Sequence, residues 1–253
     1  GARAEPPWDF PAWNRARAAR LARRAAQAAL VLPLTRAFAW LHVEGRQHLE
    51  RLRGPVIVAA NHRSHFDTPV LLAALPPSLR SRVAPAMSKE FFQAHFAPEP
   101  GTPRLTRWLT SLGYVLAALC FNAFPLPQRE AGARDALRYM AELAADGWSI
   151  LIFPEGRHVR EPGVARFQPG VGLLASELGL PVVPAWIGGT DRVLPPGARM
   201  ARPARVTVRF GAPIHPGGED YLALTRRIEE AVRALSPAGP GAGGAAVGVA
   251  QCL

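Results

Sequence analysis

The chain has 253 residues, 49% of them hydrophobic, which is enough for one sizeable core and too apolar for wholesale disorder. Its formal net charge of +11 points to an anionic partner such as a phospholipid surface, a nucleic acid or a phosphorylated small molecule, although Lys89 is the sole lysine and an arginine-heavy, GC-rich composition accounts for the charge equally well. Two cysteines, Cys120 in an apolar run and Cys252 next to the C-terminus, exclude a disulfide framework and a metal knuckle and indicate a reducing compartment.

Residues 1–11, with three prolines, read as an extended lead-in, and Gly1 in the place of an initiator Met marks a chain trimmed or excised from something larger. No secretory signal is visible. From 12 to 42 the pattern is helical and basic, with Arg15, Arg17, Arg20, Arg23 and Arg24 set against Trp13, Leu21, Leu30, Val31 and Leu32 and an interruption at Pro33. Such a segment either lies in a membrane interface with its arginines among lipid phosphates or packs on its own domain. Strands are then predicted over 56–60, 82–87, 121–127, 148–154, 182–188 and 205–211. Helices are predicted over 68–75, 104–119, 130–147, 169–179 and 218–235. The most apolar stretch, 112–127, is cut by Asn122 and Pro125 short of the ~20 residues a spanning helix needs, and is expected to be a buried helix followed by a strand. Strands alternating with helices predict an α/β fold, a mostly parallel central sheet flanked by helices. The Gly/Ala-rich tail over 236–253 is expected to be disordered.

Between the first strong strand, "VIVAA", and the helix that follows lies "NHRSHFD", Asn61 to Asp67. In open α/β sheets, ligands collect at the carboxyl ends of strands. His62 and Asp67, five apart, would point about 140° away from each other in one continuous helix and could not meet. Thr68-Pro69 instead reads as a helix cap followed by Pro at the first helical position, which leaves His62 in the loop. The carboxylate can then fold back onto one imidazole nitrogen, fixing the tautomer and leaving the other nitrogen to take a proton from a hydroxyl. Three rival readings stand beside this one: Asp67 as a helix cap with the histidines satisfied in the loop, a zinc site from His62, His65 and Asp67 with no further ligand set in view, and a hydrolase triad lacking any G-x-S-x-G elbow. Without a nucleophilic Ser or Cys, the base has to act on a hydroxyl brought by the substrate.

"NHRSHFD" resembles the N-H-x4-D signature of the glycerolipid acyltransferase superfamily, which includes the lysophosphatidic acid acyltransferases. "FPLPQR", ending at Arg129, is similar to the family's second block, "IFPEGR" to its F-P-E-G block, and "VVPAWIGG" to its V-P-x-x-x-x-G block, all in the family's order from about Val43 to Gly211. The resemblance implies that His62 is the general base and Asp67 its orienter. It further implies that Arg129, Glu155, Gly156 and Arg157 bind the acceptor and that no metal or other cofactor takes part. Acyl-CoA or acyl-carrier protein would be the donor substrate. The family usually writes F-P-E-G-T-R-S, whereas Gly156 here is followed by Arg157-His158-Val159-Arg160, so either Arg157 or Arg160 meets the phosphate. Glu155 has a second reading, a structural carboxylate that fixes its loop.

The implied activity is transfer of a fatty acyl group to a lysophospholipid hydroxyl, with 1-acylglycerol 3-phosphate first among acceptors and lysophosphatidylethanolamine second, at the cytoplasmic face of the cell membrane. A non-catalytic lipid-surface module is the rival from another class. A nucleic-acid partner is not expected, because the arginines are scattered and no reading helix is apparent. The expected organisation is lead-in 1–11, interfacial segment 12–42, acyltransferase domain 43–235 and tail 236–253. One further motif, Gly170-x-Gly172-x-x-Ala175, fits a loose dinucleotide fingerprint, but it follows the polar "RFQ" and Pro169 rather than a buried strand, so a packed helix start is expected.

Overall fold

A computed structural model describes residues 13–88, 102–126, 133–156, 163–195, 198 and 200–237. The lead-in, Arg129, Arg157, Arg160 and nearly all of the tail therefore lie outside the described residues. Strands β1 (Ala39–Glu44), β2 (Ile57–Ala60), β3 (Val83–Ser88), β4 (Phe124–Leu126), β5 (Ser149–Ile152), β6 (Val182–Gly188) and β7 (Ala204–Phe210) form one sheet in the order β1-β7-β6-β2-β5-β3-β4. Five of them run parallel to one another; β7 is antiparallel to β6, and β1 is parallel to β7. This is the predicted α/β sheet with a reversed pair of strands at one edge.

Alternation along β2 shows why the central strands are apolar at every position. Ile57 and Ala59 enter one core with Tyr139, Leu143, Leu174 and Ile228, while Val58 and Ala60 enter another with Val70, Leu71, Leu72 and Leu75. The helices that cover the first face are α7 (Ala133–Ala145), α8 (Gly170–Leu178) and α10 (Tyr221–Ala234); α4 (Asp67–Ala74) covers the second. A strand with helices on both sides has no solvent face to mark with polar residues. Short helices α3 (Gln47–Glu50), α5 (Pro77–Arg80) and α9 (Thr190–Val193) complete the connections around them. The loose dinucleotide motif is the packed helix start that was expected: a Cβ at Gly172 would overlap the Tyr221 carbonyl, so this glycine lets α8 cross the first turn of α10.

The N-terminal segment differs from its prediction at both ends. α1 (Arg17–Ala26) continues through a π turn over Gln27–Val31 into α2 (Leu32–Phe38), and Pro33 does not break it. Proline lacks an N–H and crowds the preceding turn, and the wider π turn immediately before it absorbs both effects. Helix then gives way to strand at Ala39 rather than continuing to 42, and β1 pairs with β7 from Ala39↔Ala204 to Glu44↔Arg209.

α6 (Arg104–Phe121) is not the buried helix expected, since Leu112, Val115 and Leu116 are exposed, but a break does come at Asn122, which is in the left-handed conformation (φ 60°) and donates its N–H to the Ala118 carbonyl before β4 begins. The last turn of α6 is held from outside by α1. Arg23, only 3% exposed, donates from Nε to the Leu119 carbonyl (2.7 Å) and from Nη2 to those of Ala118 (3.3 Å) and Asn14 (2.9 Å). Gln27 donates to the Cys120 carbonyl (2.8 Å). The Leu119 and Cys120 carbonyls belong to the last turn of α6, beyond the reach of the helix's own donors, so a buried guanidinium and amide take the place of water there. Burial lowers the Arg23 pKa to about 10, which still leaves the group charged at neutral pH. Arg23→Met keeps the length and removes the donors, so we expect about 1–3 kcal/mol of lost stability, read as a lower urea midpoint, with faster amide exchange in the last turn of α6.

Candidate active site

β2, β5 and β6 lie side by side and parallel, so their carboxyl ends open on one edge of the sheet. Asn61, the first residue past β2, joins its strand end to β6 by two bonds: its Nδ2 donates to the Ile187 carbonyl (2.9 Å) and its Oδ1 accepts from the Ile187 N–H (2.7 Å). The chain then turns away from the sheet at a fixed point, and His62 is the next residue.

His62 Nδ1 lies 2.8 Å from Asp67 Oδ2. The same carboxylate oxygen accepts the backbone N–H groups of Arg63 (2.7 Å) and Ser64 (2.9 Å). Asp67 is 0% exposed, and it is the first residue of α4, whose cap is Phe66, so the helix starts two positions earlier than the predicted Thr68 cap and Pro69 start. Its charge therefore sits at a helix N-terminus as well as on two amides. Pro69 falls in the first turn, where the missing N–H would have had no helical acceptor. The six residues from His62 to Asp67 form a closed loop in which the carboxylate fixes the backbone and the imidazole together. Because an ionised carboxylate only accepts, Nδ1 carries the hydrogen and the imidazole lone pair is on Nε2.

Two residues from the end of β5 complete the setting of His62. Phe153 stacks on its ring, with centroids 4.1 Å apart and planes 17° from parallel. Glu155, 4% exposed, accepts the His62 N–H on Oε2 (3.1 Å) and the Ala165 N–H on Oε1 (3.0 Å). Burial raises the Glu155 pKa, and the two N–H groups oppose that rise. Gly156 follows with φ 70°, a left-handed turn that sends the chain away immediately after the carboxylate. Both oxygens of Glu155 thus meet backbone donors, the geometry of a residue that ties the His62 loop to the segment around Ala165.

On the other flank, Arg63 reaches Asp191 (3.3 Å), and the Ser64 hydroxyl donates to the Leu194 carbonyl (3.0 Å) and accepts the Phe66 N–H (3.2 Å). A cavity of about 400 Å³ opens here, with Arg63, Arg192 and Arg209 facing Asp191 and Trp186 in its wall. The sequence reading gave no role to Asn61, Phe153 or Asp191. The first two stand inside the motif blocks and so carried a signal; Asp191 carried none.

His65 does not join His62 and Asp67 in a ligand set: no group of three or more metal-ligating side chains occurs among the described residues. Desolvation, then the neighbouring His62, lowers the His65 pKa. A histidine whose folded pKa lies below its unfolded one favours the native state while neutral, and that advantage is lost as pH falls through the unfolded value of about 6.5. Wild type is therefore expected to lose more of its urea midpoint between pH 7.5 and pH 5.5 than His65→Asn does.

Comparison with known proteins agrees with this arrangement. A family model described as Acyltransferase matches residues 41–188, which run from β1 to the end of β6 and include every site residue described above except Asp191, Arg192, Leu194 and Arg209. A chloroplastic 1-acyl-sn-glycerol-3-phosphate acyltransferase of Arabidopsis thaliana is 25% identical over 189 residues, 74% of this chain and 47% of its own length. One from Brassica napus is 30% identical over 198 residues, 77% of this chain and 51% of its own. The chain thus spans about half the length of these curated relatives. The crystal structure of the 1-acyl-sn-glycerophosphate (LPA) acyltransferase PlsC from Thermotoga maritima superposes with a TM-score of 0.61 at 23% identity, covering 87% of this chain and 81% of that one, and so has the same fold. With the family model spanning more than half of the sequence and the strand-end His–Asp loop inside the matched span, the chain belongs to the acyltransferase family.

Proposed function

We propose that the protein transfers a fatty acyl group from an acyl thioester, acyl-CoA or acyl-carrier protein, to the free hydroxyl of a lysophospholipid, first among them 1-acylglycerol 3-phosphate. The observation that carries this reading is the His62–Asp67 pair at the carboxyl end of β2, with Nδ1 engaged and Nε2 holding the lone pair. In the proposed reaction Nε2 removes the acceptor's hydroxyl proton as its oxygen attacks the thioester carbonyl. The tetrahedral adduct collapses by breaking the C–S bond, and the imidazolium returns the proton to the departing thiolate. No acyl-enzyme forms, in keeping with the lack of an activated Ser or Cys beside His62 among the described residues. Asp67 holds the tautomer and stabilises the transient imidazolium.

Anionic acceptors suit the site. Of the three arginines that line the neighbouring cavity, Arg63 pairs with Asp191 and Arg209 with Glu44, so Arg192 supplies its net positive charge. Arg129 and either Arg157 or Arg160, which the resemblance assigns to the acceptor, would add guanidinium forks for a phosphate. Glu155 serves as a positioning residue in this scheme and Gly156 as the turn behind it. The reaction is placed at the cytoplasmic face of the cell membrane, where its lipid acceptor resides.

The test is a thiol-release assay with one acyl-CoA against a panel of lysophospholipids. Fastest release is expected with 1-acylglycerol 3-phosphate. Release only with lysophosphatidylethanolamine would move the acceptor assignment, and anionic-vesicle binding without any thiol release would replace the enzyme by a lipid-surface module.

A further inference from the structure

We propose that one face of α6, rather than the N-terminal helix alone, is the surface by which this protein docks on an anionic phospholipid leaflet. Six apolar residues of α6, Leu105, Trp108, Leu109, Leu112, Val115 and Leu116, are each at least 38% exposed. At about 100° per residue they fall within an arc of roughly 120° and run some 17 Å along the axis. Tyr114, Ala117 and Ala118, which hold the helix to the protein, lie on the opposite side. Single exposed leucines are ordinary on a soluble surface, whereas a continuous stripe of this length marks a contact with something apolar.

Charge identifies the occupant. No Asp or Glu occurs from Phe10 to Val43 or from Pro100 to Gln128, while those two stretches carry eight arginines, six of them besides the paired Arg15 and the buried Arg23. α1 packs alongside α6, so both stretches face the same partner from neighbouring positions. A protein groove would rarely ask for cations and no anions around an apolar stripe; an anionic leaflet asks for that combination. The exposed residues at the outer end of the helix fit as well. Residues 103–109 are exposed all round, with Arg104 and Arg107 beside Trp108, an indole of the kind that settles at the depth of lipid head groups. No helix among the described residues is long and apolar enough to cross a membrane, so the contact is an interfacial one.

This placement changes the role of the N-terminal helix. Its Arg15 is turned inward to Glu142 on α7 (3.6 Å) and to Asp146 just past it (3.0 Å), and its Arg23 and Gln27 bond the terminal carbonyls of α6. α1 braces the docking helix and supplies surrounding cations from Arg17, Arg20 and Arg24. The far end of α6 leads through Asn122 into β4, with which the second motif block begins, so the docked helix would bring the leaflet to the acceptor side of the site.

Co-sedimentation of the full chain with vesicles of phosphatidylglycerol and phosphatidylcholine tests the proposal, with pure phosphatidylcholine as the control. Leu105→Ser/Trp108→Ser/Leu109→Ser/Leu112→Ser is expected to weaken partition to the anionic vesicles by about tenfold or more while thiol release with a short-chain, water-soluble acceptor stays at the wild-type rate. Leu105 and Trp108 are 68% and 61% exposed. Their single exchanges to Ser do not burden the fold, and each is expected to weaken partition about threefold. Unchanged partition of both the fourfold and the single variants overturns the proposal, as does its loss only in Leu21→Ser/Leu30→Ser/Leu34→Ser, which would return the contact to the N-terminal helix. A wild-type dimer that the fourfold variant dissolves without losing vesicle affinity would make a second copy the occupant and equally overturn it. The inference rests on the lipid-acceptor reading for its choice of a leaflet. Vesicle binding by a wild type that releases no thiol would defeat that reading and leave this one standing.

Discussion

His62→Ala is expected to lower kcat/KM for acyl transfer by about 10³-fold or more while the protein stays folded. General base catalysis is worth roughly 10²–10⁴ in rate, and the remaining binding and positioning groups give the variant a residual activity above background. The exchange removes a half-buried ring stacked on Phe153 and one of three donors to Asp67, so about 1 kcal/mol of stability should go with it. Asp67→Asn is the sharper variant. His62 Nδ1 and the N–H groups of Arg63 and Ser64 all meet the one oxygen Oδ2, so an Asn that keeps its oxygen there preserves the loop and the tautomer but not the negative charge that stabilises the imidazolium. The rate should fall by about 10²–10⁴ with the urea midpoint little changed. Because both residues serve one proton transfer, the double variant should be no slower than the slower single one. Multiplying effects in the double variant, or wild-type thiol release by either single variant, would show that the pair does not act as a unit on the acceptor.

Much of this site could be read from the sequence because its physics is local. A five-residue separation between His62 and Asp67, closed by Thr-Pro, allows only a turn that brings the carboxylate back, and the coordinates have it at 2.8 Å. The buried strands β2, β5 and β6 announced themselves as unbroken apolar runs, since both of their faces are covered. What the sequence concealed is long-range. β1 follows a helix with no Gly or turn residue between them, and as an edge strand it alternates half-buried and exposed positions that blend into the helical pattern before it. Its partner β7 is some 160 residues further on, and the reversal of β7 against β6 has no local signature. The same holds for Asn61, whose two bonds to Ile187 span 126 positions, and for the choice between ligand and scaffold at Glu155. Deciding that choice requires knowing which amides surround the carboxylate.

Glu155→Ala should cost about 2–4 kcal/mol of stability, because two buried N–H groups, those of His62 and Ala165, lose their acceptor at once. Glu155→Gln should fall between the two, since one side-chain oxygen still accepts while the amide N–H₂ faces the other donor. The pH dependence separates desolvation from simple hydrogen bonding. Burial places the folded-state pKa of Glu155 above its unfolded value, so the native protein holds the proton more firmly than the unfolded chain does. Stability then drops as pH rises from the ordinary carboxylate range, about 4.3, through the raised value, and recovers as pH falls back. Wild type should therefore gain urea midpoint relative to Glu155→Gln when the pH is lowered from 7 to 5; parallel behaviour of the two proteins would mean that the carboxylate is not held in a desolvated site. Kinetics distinguishes scaffold from ligand in the same pair of variants. A residue that positions His62 through its backbone N–H governs the reacting base whichever substrate is bound, so kcat should fall and the KM values of donor and acceptor should move little. A selective rise in the acceptor KM with kcat intact would instead put the Glu155 carboxylate in contact with the lipid.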